Sequence, residues 1–289
     1  MLEIDKIHLG DCLELMNDIP DKSIDCIICD LPYGTTSCQW DIIIPFDLLW
    51  KKYYRVLKPN GVVVLFATEP FTSKLVCSNI NDFKEKLTWE KHKPTNFGNA
   101  RFRHLKYTED IVVFSRVGRY TFNPQMTERI STRVKEAQKG NSKNWHTIRK
   151  ETNEVSFGTQ YEPRDWGIYD ADKKLQGNLI TMPSVVSNSH EKEDHPTQKP
   201  VKMLRYLIRT YTNDGDLILD NCIGSGTTAV ACLKEKRHFI GIELNKEYFD
   251  IACKRVKKER EEIIQHSYAK RTHKRQLPPP QLQSVSKKL

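Results

Sequence analysis

The feature that most constrains the fold lies near the end of the chain. Leu217-Ile218-Leu219-Asp220 reads as a short buried strand, Asn221-Cys222-Ile223-Gly224-Ser225-Gly226 as a glycine turn, and Thr227-Thr228-Ala229 as the start of a helix. Gly224 permits a tight turn, Gly226 lets the backbone come close to a ligand, and Thr227 or Thr228 can cap the helix. A second strand, Ile240-Gly241-Ile242-Glu243, ends on an acid that can accept both hydroxyls of a ribose. Such a unit needs several more strands, yet after Glu243 only a helical stretch and a basic tail remain. The missing strands have to come from the N-terminal half. The sheet is therefore circularly permuted relative to ordinary dinucleotide-binding proteins. Gly224-x-Gly226-x-x-Ala229 matches the dinucleotide fingerprint literally, so a nicotinamide-dependent oxidoreductase is one alternative, and the permuted order argues against it.

The N-terminal half supplies the strands. Short β-branched runs near 4–9, 24–30, 61–67, 86–91 and 109–115 join those at 216–220 and 238–243, making seven. Between them lie amphipathic stretches near 11–17, 46–57, 69–80, 199–212, 226–236 and 246–264. This alternation predicts an α/β fold, a Rossmann-like sheet covered on both faces. Residues 116–194 break the rhythm, being polar, with Asn123-Pro124, Gly140-Asn141 and Pro163. A structureless loop of that length is unlike a compact domain. The expected organisation is thus a first sheet half at 1–115, an inserted region at 116–194, a second half at 195–264 and a disordered basic tail at 265–289.

The net charge of +9 points to a polyanionic partner. Residues 91–119 hold seven Lys or Arg against two acids, together with Phe97, Phe102 and Tyr107. The tail from 265 carries six Lys or Arg and no acid, which suits loose attraction to phosphates rather than sequence reading. Eight cysteines are spread without the clustering of a disulfide scaffold, and no long apolar run or leader is evident. Both features suggest a cytoplasmic protein with no membrane partner. Cys26 and Cys29 have chelating spacing, but residues three apart on a strand face opposite sides, so both read as core and no metal site is expected.

Asp25-Cys26-Ile27-Ile28-Cys29 reads as a buried strand, and Asp30-Leu31-Pro32-Tyr33-Gly34 follows at its carboxyl end, the edge where ligands of open α/β sheets bind. An exocyclic amine of a nucleic-acid base is a poor nucleophile, because its lone pair is delocalised into the ring. Two acceptors holding its two protons draw it toward a pyramidal, nucleophilic geometry. The Asp30 carboxylate and the Leu31 carbonyl can be those acceptors. Pro32 stiffens the turn, and Tyr33 offers a face for stacking. Alone, the tetrapeptide is a common turn; beside the glycine loop it has chemical meaning.

Together these segments resemble the β-class amino-methyltransferases of DNA, bacterial and phage enzymes whose catalytic motif precedes their cofactor motif. The resemblance covers roughly residues 5–258. It rests on Gly10-Asp11-Cys12-Leu13-Glu14, Asp30 to Tyr33, Trp89-Glu90-Lys91, Glu109 to Phe114, His195-Pro196-Thr197-Gln198-Lys199-Pro200 and Asp220 to Thr228. It implies S-adenosylmethionine as cofactor, with Asp11 at its adenine and Glu243 at its ribose. Asp220, Gly224, Gly226 and Thr227 would cradle the methionine part, with Thr197, Gln198 and Lys199 closing over it. Leu31 stands where the family usually has proline, and Asn-Cys-Ile-Gly replaces the common Pro-Phe-x-Gly.

The resemblance further implies duplex DNA as partner, with the target base flipped out of the stack. Phe97, Arg101, Arg103, Arg116 and Arg119 are the expected DNA contacts, and the basic residues of the insertion, among them Arg129, Lys143 and Arg164, the expected target reader. A homodimer and a cognate restriction endonuclease are compatible partners. Asp at the first motif position favours adenine N6 over cytosine N4 as the target. Methylation at cytosine carbon is disfavoured by the absence of a Pro-Cys pair. RNA, a protein glutamine, and a catalytically silent DNA-binding protein are the remaining alternatives.

Overall fold

The computed structural model of the chain describes residues 1–36, 41–128, 173–185, 192–193 and 198–275. Two compact units emerge, Met1–Asn123 with Thr181–Leu289, and Pro124–Ile180. The described strands are β1 (Lys6–Leu9), β2 (Ile24–Asp30), β3 (Leu57–Ala67), β4 (Phe83–Thr95), β5 (Lys106–Phe114), β6 (Met126–Glu128), β7 (Lys173–Leu175), β8 (Leu179–Thr181), β9 (Leu217–Asp220) and β10 (His238–Glu243). The helices are α1 (Cys12–Leu15), α2 (Phe46–Val56), α3 (Phe71–Ser78), α4 (Val201–Tyr211), α5 (Thr227–Lys234) and α6 (Lys246–Arg275).

The main sheet runs β1-β10-β9-β2-β3-β5-β4-β8. β1, β10, β9, β2 and β3 are parallel neighbours, and β5 lies antiparallel to both β3 and β4. All seven expected strands are present, in the permuted order that the late glycine turn requires. The sheet holds an eighth strand that the sequence reading lacked. Beside it, Met182 N donates to Glu90 O at 3.1 Å and the Trp89 indole donates to Met182 O at 2.8 Å. A three-residue strand has no periodicity to detect.

β2 and β3 are apolar without alternation because helices cover both faces of a parallel sheet. Ile24, Cys26, Ile27, Ile28, Val62, Val63, Val64 and Leu65 are all fully buried or nearly so. Lys58 to Gly61 bulge within β3: Ile24 faces Leu57, and Cys26 already faces Val62. α2 buries Leu49, Trp50, Tyr53 and Val56, and α4 buries Met203, Leu204, Leu207, Ile208 and Tyr211, each a stripe of helical period.

Two boundaries differ from expectation. Residues 116–123 belong with the sheet unit, because Tyr120 and Phe122 set their rings 6.5 and 6.0 Å from Tyr211 and Asn123 Nδ2 donates to the carbonyls of Arg209 and Thr212 that end α4. The last helix continues past 264 to Arg275, since residues 246–275 contain neither Gly nor Pro and Lys, Arg, Glu and Ala favour helix. In the second unit, β6 and β7 form an antiparallel pair from Met126–Leu175 to Glu128–Lys173. Most of the insertion, with Arg129, Lys143 and Arg164, lies outside the described residues. No described helix is long and apolar enough to cross a membrane.

Asp25 ties the two halves of the sheet together. Its Oδ2 accepts from Leu217 N at 3.0 Å, and its Oδ1 from Lys58 Nζ at 2.6 Å. Asp25→Ala leaves a strand N–H without its acceptor and is expected to lower stability by about 1–3 kcal/mol, read as a lower urea midpoint with unchanged slope.

Candidate active site

The strand order reverses between β9 and β2: from β9 the chain passes outward to β10, and from β2 outward to β3. Ligands of open α/β sheets bind at such a switch point, outside the carboxyl ends of the strands. Asp30 ends β2, Asp220 ends β9 and Glu243 ends β10, so three acids meet at this edge. A cavity of about 550 Å³ opens there. Glu243, Leu244 and Tyr248 line it toward one end of the sheet, and Asp30, Tyr33, Phe66, Lys91 and Glu109 toward the other.

Asp30 has both oxygens engaged. The Tyr33 hydroxyl donates to Oδ1, and Lys199 Nζ donates to Oδ2 at 2.5 Å. Burial raises the Asp30 carboxyl above the ordinary carboxylate range, with Lys199 and Tyr33 opposing the rise. Burial alone would pull the Lys199 ammonium down, but the carboxylates of Asp30 and Glu109 outweigh it and hold it above the ordinary lysine value. Glu109 Oε1 pairs with Lys91 Nζ at 3.0 Å, and its Oε2 stands 3.5 Å from Lys199 Nζ. Burial acts to raise the Glu109 carboxyl, but the two lysines hold it below its usual range. Cys29, one residue before Asp30, is wholly buried, and burial pushes its thiol up to about 12. It therefore supplies no thiolate. The Tyr33 ring lies 5.0 Å from that of Phe71, and the Leu31 side chain is buried beneath the turn.

The turn after Pro32 is held by a residue that the sequence did not reveal. Asp41 Oδ1 accepts from Tyr33 N at 2.7 Å and Gly34 N at 2.9 Å, and its Oδ2 from Thr35 N at 2.9 Å and Thr36 N at 2.7 Å. Burial acts to raise this carboxyl, but the hydrogen bonds from Thr36, Gly34 and Thr35 outweigh it and hold it below the usual range. A lone acid eight residues past Tyr33 carries no signal of its own. Lys91 and Glu109 did leave one, as charges two residues from the buried Trp89 and Ile111 on the same strand faces.

Of the residues expected around a cofactor, Asp11, Gln198, Lys199, Asp220, Gly224, Thr227 and Glu243 all line the cavity. Asp11 also caps α1, accepting from Leu13 N at 2.7 Å. Glu243 Oε2 accepts from Gly224 N and its Oε1 from Asn245 N, both at 2.8 Å. The acid thus shapes the glycine turn, where Gly224 has φ +54°. Burial raises Glu243 above the usual range and Asp220 to about 7. Asn221, one of the departures from the family pattern, accepts at 2.6 Å from the buried Tyr53 hydroxyl. Gln198 Oε1 accepts from Glu193 N at 2.8 Å. Thr197 lies outside the described residues.

Three placements differ from expectation. Gly226 does not line the cavity: a Cβ there would meet Ala252 Cβ at 3.0 Å, and its φ is +82°. Its lack of a side chain allows the close approach of α6. Lys199 stands at Asp30 instead of at the glycine loop. Arg116 and Arg119 follow the far end of β5, where Phe114 faces Val63, whereas Asp110 faces Ala67 at the cavity edge. At about 3.3 Å per residue, Arg116 is on the order of 20 Å from that edge, and its guanidinium lies over the Tyr54 ring. Phe97, Arg101 and Arg103 lie on the exposed connection between β4 and β5, at the end of the sheet that carries the cavity, and do not line it.

A permuted α/β sheet with acids and a glycine turn at its switch point is the architecture of a nucleoside- or nucleotide-binding site, and comparison narrows the class. The family model described as DNA methylase matches residues 24–254. The chain belongs to this N6/N4 DNA methylase family and is a methyltransferase of it. It is 29% identical over 272 residues to the type II methyltransferase M1.MboII of Moraxella bovis, covering 87% of this chain and 96% of that protein. It is 28% identical over 262 residues to the DNA adenine methyltransferase YhdJ of Escherichia coli K12, covering 86% and 81%. Among solved structures, the cytosine-N4-specific PvuII DNA methyltransferase matches with TM-score 0.58 at 17% identity, covering 86% of this chain and 84% of that one. The M1.HpyAVI–SAM complex matches with TM-score 0.54 at 24% identity, covering 86% and 98%. These two share the fold.

Asp41→Ala removes the acceptor of four consecutive amides. Their hydrogen exchange is expected to speed up about tenfold or more, a loss of roughly 1.4 kcal/mol or more of local protection, while amides of β2 exchange as before.

Proposed function

We propose that this chain transfers a methyl group from S-adenosylmethionine to the N6 amine of an adenine flipped out of duplex DNA. The observation that carries the reading is the placement of Asp30 and Tyr33 in one cavity with the glycine turn and Glu243. The residues fit the cofactor. Glu243 is held by two amides at the strand end, with lone pairs left to accept ribose hydroxyls. Leu244 and Tyr248 give an apolar face for a purine, and the volume suits a ligand of this size. The solved structure of M1.HpyAVI with SAM, on the same fold, supports the assignment.

When bound, S-adenosylmethionine supplies a methyl group on a sulfonium sulfur, which keeps the electron pair of the broken bond. The chain's own residues prepare the amine. Asp30 accepts one amine proton and the Leu31 carbonyl the other, so the nitrogen lone pair turns out of the ring. Tyr33, fixed through its hydroxyl on Asp30 and its backbone on Asp41, offers a face to the base. Asp30 orients rather than keeps a proton, because the methylated ammonium is acidic enough to lose one to water.

Adenine is favoured by Asp at the first motif position and by the name of the relative YhdJ. Arg101, Arg103 and the exposed Phe97 stand where duplex backbone and an opened stack would meet the cavity edge. The inserted region, much of it basic, is assigned to target recognition.

Asp30→Ala is expected to lower the methylation rate at least a hundredfold, about the scale for deleting one well-placed polar group, while leaving S-adenosylmethionine binding intact. Methylation-sensitive sequencing of DNA from cells expressing the wild type should report N6-methyladenine at one short site. N4-methylcytosine there would overturn the choice of base, and full activity in Asp30→Ala would overturn the mechanism.

A further inference from the structure

We propose that Lys199 is a two-position counterion, resting on Asp30 while the target amine is absent and passing to Glu109 when the amine takes its place. The inference rests on Asp30 being the acceptor of that amine. With Tyr33 on one oxygen and Lys199 on the other, each Asp30 oxygen keeps a second lone pair, but an oxygen that holds an ammonium at 2.5 Å is a weaker acceptor for a neutral amine. The bond from the amine to Oδ2 strengthens as the ammonium moves off it.

Glu109 is built to receive that ammonium. Its Oε1 is held by Lys91, whereas its Oε2 is buried and accepts no hydrogen bond among the described residues. Lys199 Nζ already stands 3.5 Å from Oε2. The move is a change of rotamer in a flexible four-carbon stem, between the rings of Tyr33 and Phe66 at 5.8 and 5.2 Å. Asp30 and Glu109 balance Lys91 and Lys199 in charge. Keeping Lys199 inside the cluster leaves the summed charge of the four groups unchanged through the move, whereas removing an ammonium from such a set would be strongly destabilising. The groups facing Asp30 are Tyr33 at its own strand end, Glu109 from β5 with Lys91 from β4 behind it, Asp220 from β9, and Lys199 itself. Lys199 is thus a positioning residue for the acceptor rather than a cofactor ligand.

The test measures single-turnover methylation of a duplex oligonucleotide against pH, with S-adenosylmethionine affinity by calorimetry as the check on folding. Lys199→Met should bind the cofactor as the wild type does. Its acid limb should move to higher pH by about one to three units, because Asp30 has lost the cation that favours its ionised form. Lys199→Arg should return the limb toward its original place. Glu109→Gln takes away the second position and should slow methylation tenfold or more at every pH, with no upward move of the limb. The proposal is overturned if Lys199→Met leaves the limb in place and weakens cofactor binding, which makes Lys199 a cofactor ligand, or if Glu109→Gln methylates at the wild-type rate. Activity retained by Asp30→Ala in the same assay would instead overturn the role given to Asp30.

Discussion

The parallel pairing of Cys26 with Ile218 and Ile27 with Leu219 joins strands from opposite ends of the chain, and the site depends on it. That register sets the carboxyl end of β2, with Asp30, beside that of β9, with Asp220. Both strands are wholly apolar in their middles, so burial drives them together without specifying which neighbour each takes. Polar contacts fix the choice. The Leu217 amide donates to Asp25 across 192 residues of sequence, and the Tyr53 hydroxyl reaches Asn221 across 168. A slip of one residue would turn the inward side chains of β2 to the other face and scatter the site.

Electrostatics at the switch point follow from the same burial. Asp30, Glu109, Lys91 and Lys199 come from four separate segments and lie where water is scarce. Single buried charges are expensive, but a compact set of two carboxylates and two ammoniums is self-compensating. The cluster sets the Asp30 carboxylate beside the cavity, and Glu109 Oε2 accepts no hydrogen bond among the described residues. Asp41 does comparable work for the backbone. By accepting four successive amides, it holds the turn that carries Tyr33, which Pro32 alone would only bias.

Much of this was legible beforehand, and the reasons differ by element. β2, β3 and β9 announced themselves because buried parallel strands are continuous apolar runs, and antiparallel β4 through the alternation of its buried Leu87 and Trp89 with polar neighbours. The permuted order stands in the sheet itself, where the late β9 and β10 lie between β1 and β2. Asp30, Tyr33 and Gly224 were legible because each belongs to a local pattern in which strand, turn and helix succeed one another. β8 was too short to carry a pattern. α6 was cut early because its charge was taken for a tail, although nothing in it breaks a helix before Pro278. Arg116 and Arg119 follow the end of β5 away from the cavity, because charge density along the chain does not say at which end of an antiparallel strand a residue emerges.

The sequence by itself determined the fold, the place of the glycine turn, and the acids at the strand ends, because these depend on hydrophobic runs and turn chemistry that act over a few residues. Tertiary structure alone decided which charges meet. Lys199 stands on Asp30 at a separation of 169 residues; Gly226 is bare because Ala252 of α6 lies against it; Asp41 folds back on the turn it follows. None of these contacts has a local signature. Each exists only because burial brings distant segments into contact and then requires every charge and amide enclosed there to find a partner.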